Sequence, residues 1–87
     1  MNYSALRELS IQNLSDLLNV EADLVITFAG LATRYRETGN SVHYEISKRN
    51  AFAAVAAIYH FKDRLPRSLR MQIETRLFEL TEAVSTL

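Results

Sequence analysis

The chain reads as an all-α fold, and three observations predict it. Its 87 residues include two glycines and one proline, too few for a turn-rich β chain. No segment sustains the period-two alternation of a half-buried strand. Apolar residues recur instead at helical spacing in four stretches. These are separated by candidate breaks at Asn19–Val20–Glu21, Thr38–Gly39–Asn40–Ser41 and Asp63–Arg64–Leu65–Pro66. The expected architecture is a small antiparallel four-helix bundle forming one domain over residues 1–87, with its third helix central.

The first helix is expected over 4–18. Tyr3, Leu6, Ser10, Leu14, Leu17 and Leu18 fall on one side, Ser4 supplies a hydroxyl N-cap and Asn19 tolerates the conformation of a helix end. The second is expected over 21–37. Leu24, Phe28, Leu31 and Tyr35 form its stripe, Val25 and Ala32 widen it, and Gly39 stops it by adopting positive φ.

Ser41 or Asn40 caps a third helix over 42–62. Val42, Ile46, Ala53, Ala57 and His60 line one side, and Ala51, Val55 and Ile58 line the other. A helix apolar nearly all round is expected to be buried, and its five alanines between 51 and 57 admit close neighbours. The fourth helix is expected over 66–85. Pro66 suits its first turn, where a missing N–H costs nothing, and Leu69, Ile73, Leu77, Leu80, Val84 and Leu87 form the cleanest stripe in the chain.

Composition removes whole classes of chemistry. Zero cysteines exclude a disulfide scaffold, a thiol nucleophile and a Cys-ligated metal. With only Gly30 and Gly39, neither a P-loop nor a dinucleotide fingerprint can be written. Glu-x-x-His, His-x-x-x-His and Gly-x-Ser-x-Gly do not occur. No metal site, cofactor or catalytic residue is therefore expected. The N-terminus lacks the basic region of a signal peptide. The longest nearly apolar stretch, Ala51–Tyr59, has nine residues against the roughly 20 that a spanning helix needs. The expectation is a cytoplasmic chain with no membrane contact.

Three weak patterns remain. His60 and Asp63 stand three apart, the spacing of an acid/base pair or a two-ligand fragment. The competing reading packs His60 beside Ala53 and Ala57 and leaves Asp63 in a loop. Arg36 and His43 meet the loose Arg-x(4–6)-His spacing of HEPN-type ribonucleases, which one arginine and one histidine satisfy often by chance. A solvated helix end is the expected reading. Leu14 to Val20 followed by Val25 has the spacing of a helix-turn-helix. Its second helix opens on Glu21 and Asp23, which repel phosphate, so DNA reading is not expected.

Ten basic and ten acidic residues sum to zero, but unevenly. Residues 1–31 carry −3, residues 32–76 carry +5 and residues 77–87 carry −2. The densest basic run is Lys62, Arg64, Arg67 and Arg70. It offers a surface to nucleic acid, another anion or an acidic protein, or else it complements the acidic half of the chain. On the fourth helix Met71 and Phe78, seven apart, fall opposite the main stripe on the side of Arg67, Arg70 and Glu74. An apolar pair in a charged rim is the composition of an interface centre.

These observations predict a non-catalytic helical protein that binds another macromolecule as regulator, inhibitor or adaptor. A homodimer is expected, with Met71 and Phe78 near its centre, from which Phe78→Glu yields a folded monomer. Two rivals stand beside it. One is nucleic-acid or anion binding through the 62–70 junction, with salt-sensitive affinity. The other is a small enzyme using His43 or His60, which alanine at both positions abolishes.

Overall fold

The computed structural model describes the backbone of residues 3–87 and the side chains from Glu8 onward. Among the described residues there are three α-helices and no strand: α1 (Tyr3–Glu37), α2 (Ser41–Phe61) and α3 (Arg67–Ser85). A single 3₁₀ turn, Lys62–Arg64, joins the last two. All-α is observed. Four helices are not.

The difference lies at Asn19–Val20–Glu21, where α1 runs through without interruption. Nothing there forces a break, because the tripeptide contains neither glycine nor proline. Asn19 keeps its helical conformation and donates its side-chain amide to the Ser15 carbonyl one turn back, at 3.0 Å. Leu18, Ala22 and Val25 then bury one unbroken face across the expected break. A helix-turn-helix is excluded by the same continuity. At the other end the helix is already formed at Tyr3, so Ser4 does not begin it. The expected side-chain positions of Tyr3 and Leu6 lie outside the described side chains.

Gly39 ends α1 as expected, at φ 76°. Its N–H donates to the Arg36 carbonyl at 3.3 Å and the Asn40 N–H donates to the Tyr35 carbonyl at 2.9 Å. These are the two bonds of a Schellman stop. Asn40 then caps α2, its side-chain oxygen accepting from the His43 N–H at 3.2 Å. A turn this short makes α1 and α2 antiparallel. Pro66 sits one position earlier than expected, as the cap residue with ψ 157°, and its carbonyl accepts from the Arg70 N–H at 2.8 Å.

The core is built from Leu18, Ala22 and Val25 of α1, Ala51, Ala54, Val55 and Ile58 of α2, Leu65, and Ile73, Leu77, Leu80 and Val84 of α3. The α3 stripe is the one expected, with Leu69 and Leu87 half-buried at its ends. On α1 the expected stripe is corrected. Val25 and Ala32 are fully buried, whereas Leu17 and Leu24 face outward. Small side chains point at the neighbour because Ala22, Ala51 and Ala54 let α1 and α2 approach closely.

α2 is not buried all round, and it is not the central element. α1 packs most extensively, chiefly on α2 and less on α3, while α2 and α3 touch least. With two neighbours rather than three, α2 buries Ser47, Ala51, Ala54, Val55 and Ile58 and exposes Val42, Ile46, Phe52 and Tyr59. α3 runs in the direction of α1. Arg76 reaches Asn19 and Asp23, and Arg36 reaches the Thr86 carbonyl, so both sets of numbers rise together.

Candidate interaction surface

The outward face of α3 follows from its inward one. Because Ile73, Leu77, Leu80 and Val84 are buried, helical geometry turns Met71 and Phe78 to the opposite side. Met71 is 56% exposed and Phe78 is 70% exposed. Seven residues separate them, about 10.5 Å along the axis. Arg67 and Glu74 lie exposed beside them, and Arg70 is half-buried. Arg70 Nε stands 3.8 Å from Glu74 Oε1, one turn along the helix. The face is apolar at two points and charged around them.

The basic junction is largely internally paired. Lys62 Nζ lies 3.2 Å from Asp63 Oδ1 and 3.1 Å from Glu74 Oε1. Glu74, and after it Asp63, stabilises the ammonium and holds its pKa above the ordinary lysine value. Arg70 shares Glu74. The Arg64 guanidinium sits over the Phe61 ring, 4.9 Å from its centroid, and Arg67 is exposed on the first turn of α3. Two of the four cations thus spend their charge on carboxylates of the same corner, and a third is held against an aromatic face.

The histidines are brought to no catalytic partner. His60 is exposed and meets the Phe61 ring edge-to-face at 4.6 Å, while Asp63 turns to Lys62. His43 Nδ1 lies 2.9 Å from Asn40 Oδ1, and its ring is 5.1 Å from the ring of Tyr35. Arg36 lines a shallow cleft of about 140 Å³ together with Tyr35, Gly39, Ser41 and Tyr44. Its guanidinium donates to the Thr86 carbonyl at 3.0 Å, which ties the α1–α2 turn to the end of α3. Among the described residues no group of three or more His, Asp or Glu gathers to hold a metal. Nor, among them, is any helix long and apolar enough to cross a membrane.

A second outward apolar surface escaped the sequence reading. Leu17, Val20 and Leu24 of α1 and Val42 and Ile46 of α2 are exposed. Sequence reasoning placed Leu17, Leu24, Val42 and Ile46 inside, because a bundle of four helices needs them there. One signal pointed the other way: Leu17, Leu24 and Leu31 stand seven apart, the repeat of a helix-pairing seam.

The described residues form a small three-helix protein that carries exposed large apolar side chains on each of its helices. No protein-family model matches the chain, and no curated protein or solved structure matches it.

Proposed function

We propose that the chain is a non-catalytic binding protein that acts on another protein as regulator, inhibitor or adaptor, and that works as a homodimer. The observation that supports this reading is the exposure of Met71 and Phe78 on the solvent side of α3, where more than half of each residue is left outside the fold. Burying a Met or Phe is worth roughly 1.5–3 kcal/mol, and only a partner can recover it there. Arg67, Arg70 and Glu74 form the charged rim that such an interface centre carries. The nucleic-acid reading is weaker, because Lys62 and Arg70 already face Asp63 and Glu74.

The test is affinity capture from the native cell with the wild-type chain and two variants. A partner held by the wild type and by the His43→Ala/His60→Ala double variant, but lost from Phe78→Glu, supports the reading. Loss of biological activity in the histidine double variant, with capture intact, overturns it in favour of an enzyme. Capture dominated by nucleic acid and released by added salt overturns it in favour of the basic junction.

A further inference from the structure

The outward face of α3 has a symmetric order of residues. Arg67 precedes Met71 by four positions, Met71 precedes Phe78 by seven, and Glu82 follows Phe78 by four. At 100° per residue Arg67, Phe78 and Glu82 stand about −40°, −20° and +20° from Met71, so all four share a sector about 60° wide. All four are exposed. Among the described residues neither Arg67 nor Glu82 is engaged in an ion pair. The stripe runs cation, apolar, apolar, anion along the helix, and its reverse is its electrostatic complement.

We propose, resting on α3 as the homodimer face read above, that this stripe packs against the same stripe of a second copy running antiparallel, about a two-fold axis between Glu74 and Thr75. The midpoint of Met71 and Phe78 is also the midpoint of Arg67 and Glu82. One axis therefore sets Met71 level with Phe78 of the second copy and Arg67 level with Glu82 of the second copy, each contact occurring twice. A partner surface of one sign would satisfy one end of the stripe and repel the other, whereas a second copy satisfies both. A parallel pair would set Arg67 against Arg67 and Glu82 against Glu82, repelling at both ends.

The centre of the stripe carries a group that opposes such a pair. Glu74 lies about 60° from Met71, and the axis brings two copies of it to levels about 1.5 Å apart on the same side of the interface. Two bare carboxylates there would repel. Each is already held within its own chain, with Lys62 Nζ 3.1 Å and Arg70 Nε 3.8 Å from Glu74 Oε1. Lys62 comes from the 3₁₀ turn before α3, so the corner of the fold delivers a cation to the middle of the stripe. Besides closing that corner, Lys62 neutralises the carboxylate that meets its copy at the axis.

Sedimentation equilibrium of the whole chain up to ~100 μM, at about 50 mM salt where screening is weak, tests the register. The wild type is expected as a dimer and Phe78→Glu as a helical monomer. Arg67→Glu and Glu82→Arg each set like charges level with one another and are each expected to weaken self-association about tenfold. Both changes suit the helix dipole, so neither weakens α3 itself. An equimolar mixture of the two single variants is expected to associate as strongly as the wild type, because opposite charges then meet at both ends. Lys62→Met is expected to weaken the dimer several-fold, and Glu74→Gln in the same chain to restore it. The chain has no cysteine, so an introduced thiol reads the direction. Mild oxidation is expected to join two copies of Thr75→Cys, which lies at the axis. It should leave Ser85→Cys unlinked, its two copies standing about 31 Å apart along the helix. Single charge variants as strong as the wild type, a mixture that stays dissociated, a linked Ser85→Cys or an unlinked Thr75→Cys each overturn the register. A Lys62→Met dimer of wild-type strength overturns the role of Lys62. A wild type that is monomeric at ~100 μM overturns the register together with the homodimer, whereas a dimer abolished by Phe78→Glu but indifferent to Arg67 and Glu82 removes the register alone.

Discussion

Two glycines with opposite duties show how a single residue is fixed by its backbone. Gly39 holds φ 76° at the stop of α1, a conformation that costs an L-residue roughly 1–2 kcal/mol. Gly30 lies inside α1 with no atom within 4 Å of an added Cβ, so its flexibility brings only cost. Gly39→Ala is expected to destabilise by about 1–2 kcal/mol, and Gly30→Ala to stabilise by about 0.5–1 kcal/mol, read from urea unfolding. Lys62 supplies a pH signature. Its ammonium is held above the ordinary lysine value by Glu74 first and Asp63 second, and Glu74, twelve residues along the chain, is a partner that the unfolded chain does not offer. A raised folded pKa adds stability that is fully present below about pH 10.4 and is lost as pH rises through the higher folded value. The melting-temperature difference between wild type and Lys62→Met is therefore expected to stay constant up to about pH 10 and to close above it.

Helix ends that a single residue commands were legible in the sequence, and those that depend on packing were not. Gly39 and Asn40 carry their own stop and cap chemistry, so the α1–α2 turn could be read directly. The α3 stripe was equally plain, because Leu77 and Leu80 have no rival apolar face beyond Met71 and Phe78. The supposed break at residues 19–21 rested on asparagine alone, whose side chain takes the Ser15 carbonyl within a helix as readily as it ends one. Glu21→Pro separates the two cases. At the first turn of a new helix proline is tolerated, whereas inside a continuous α1 it should cost ~3 kcal/mol or more. α1 and α2 each bear two apolar faces, and nothing in one chain's sequence says which of them meets its own partner. The alanines decided it, since Ala22, Ala51 and Ala54 allow the closest approach and send Leu17 and Leu24 outward. Ile58, fully buried between the helices, is expected to cost about 2–5 kcal/mol as alanine. Phe78→Ala, on the outer face, should stay within about 0.5 kcal/mol in the isolated chain.

At the scale of the molecule the dimensions set the argument. The extents are 55 × 22 × 15 Å and the radius of gyration is 15.4 Å, against about 12 Å for a compact chain of 87 residues. α1 alone accounts for the length, at roughly 52 Å for its 35 residues. Its neighbours, about 30 Å long, leave its N-terminal end uncovered. A chain of this size has little stability to spare, because a small domain buries a smaller fraction of its surface while its chain entropy scales with its length. Coupling to a second copy changes that through mass action, since a partner that binds only the folded chain stabilises it in proportion to the logarithm of its concentration. For a dimer that unfolds to two free chains, a hundredfold rise in concentration adds about 1.4 kcal/mol per chain. At about 4–8 °C per kcal/mol for a domain under 100 residues, the melting temperature should climb by about 5–10 °C between ~1 and ~100 μM. Phe78→Glu removes the coupling without touching the core, so its melting temperature should be independent of concentration. A wild-type melting temperature that stays flat over the same range would mean that Met71 and Phe78 contribute nothing to the stability of the free protein through a second copy.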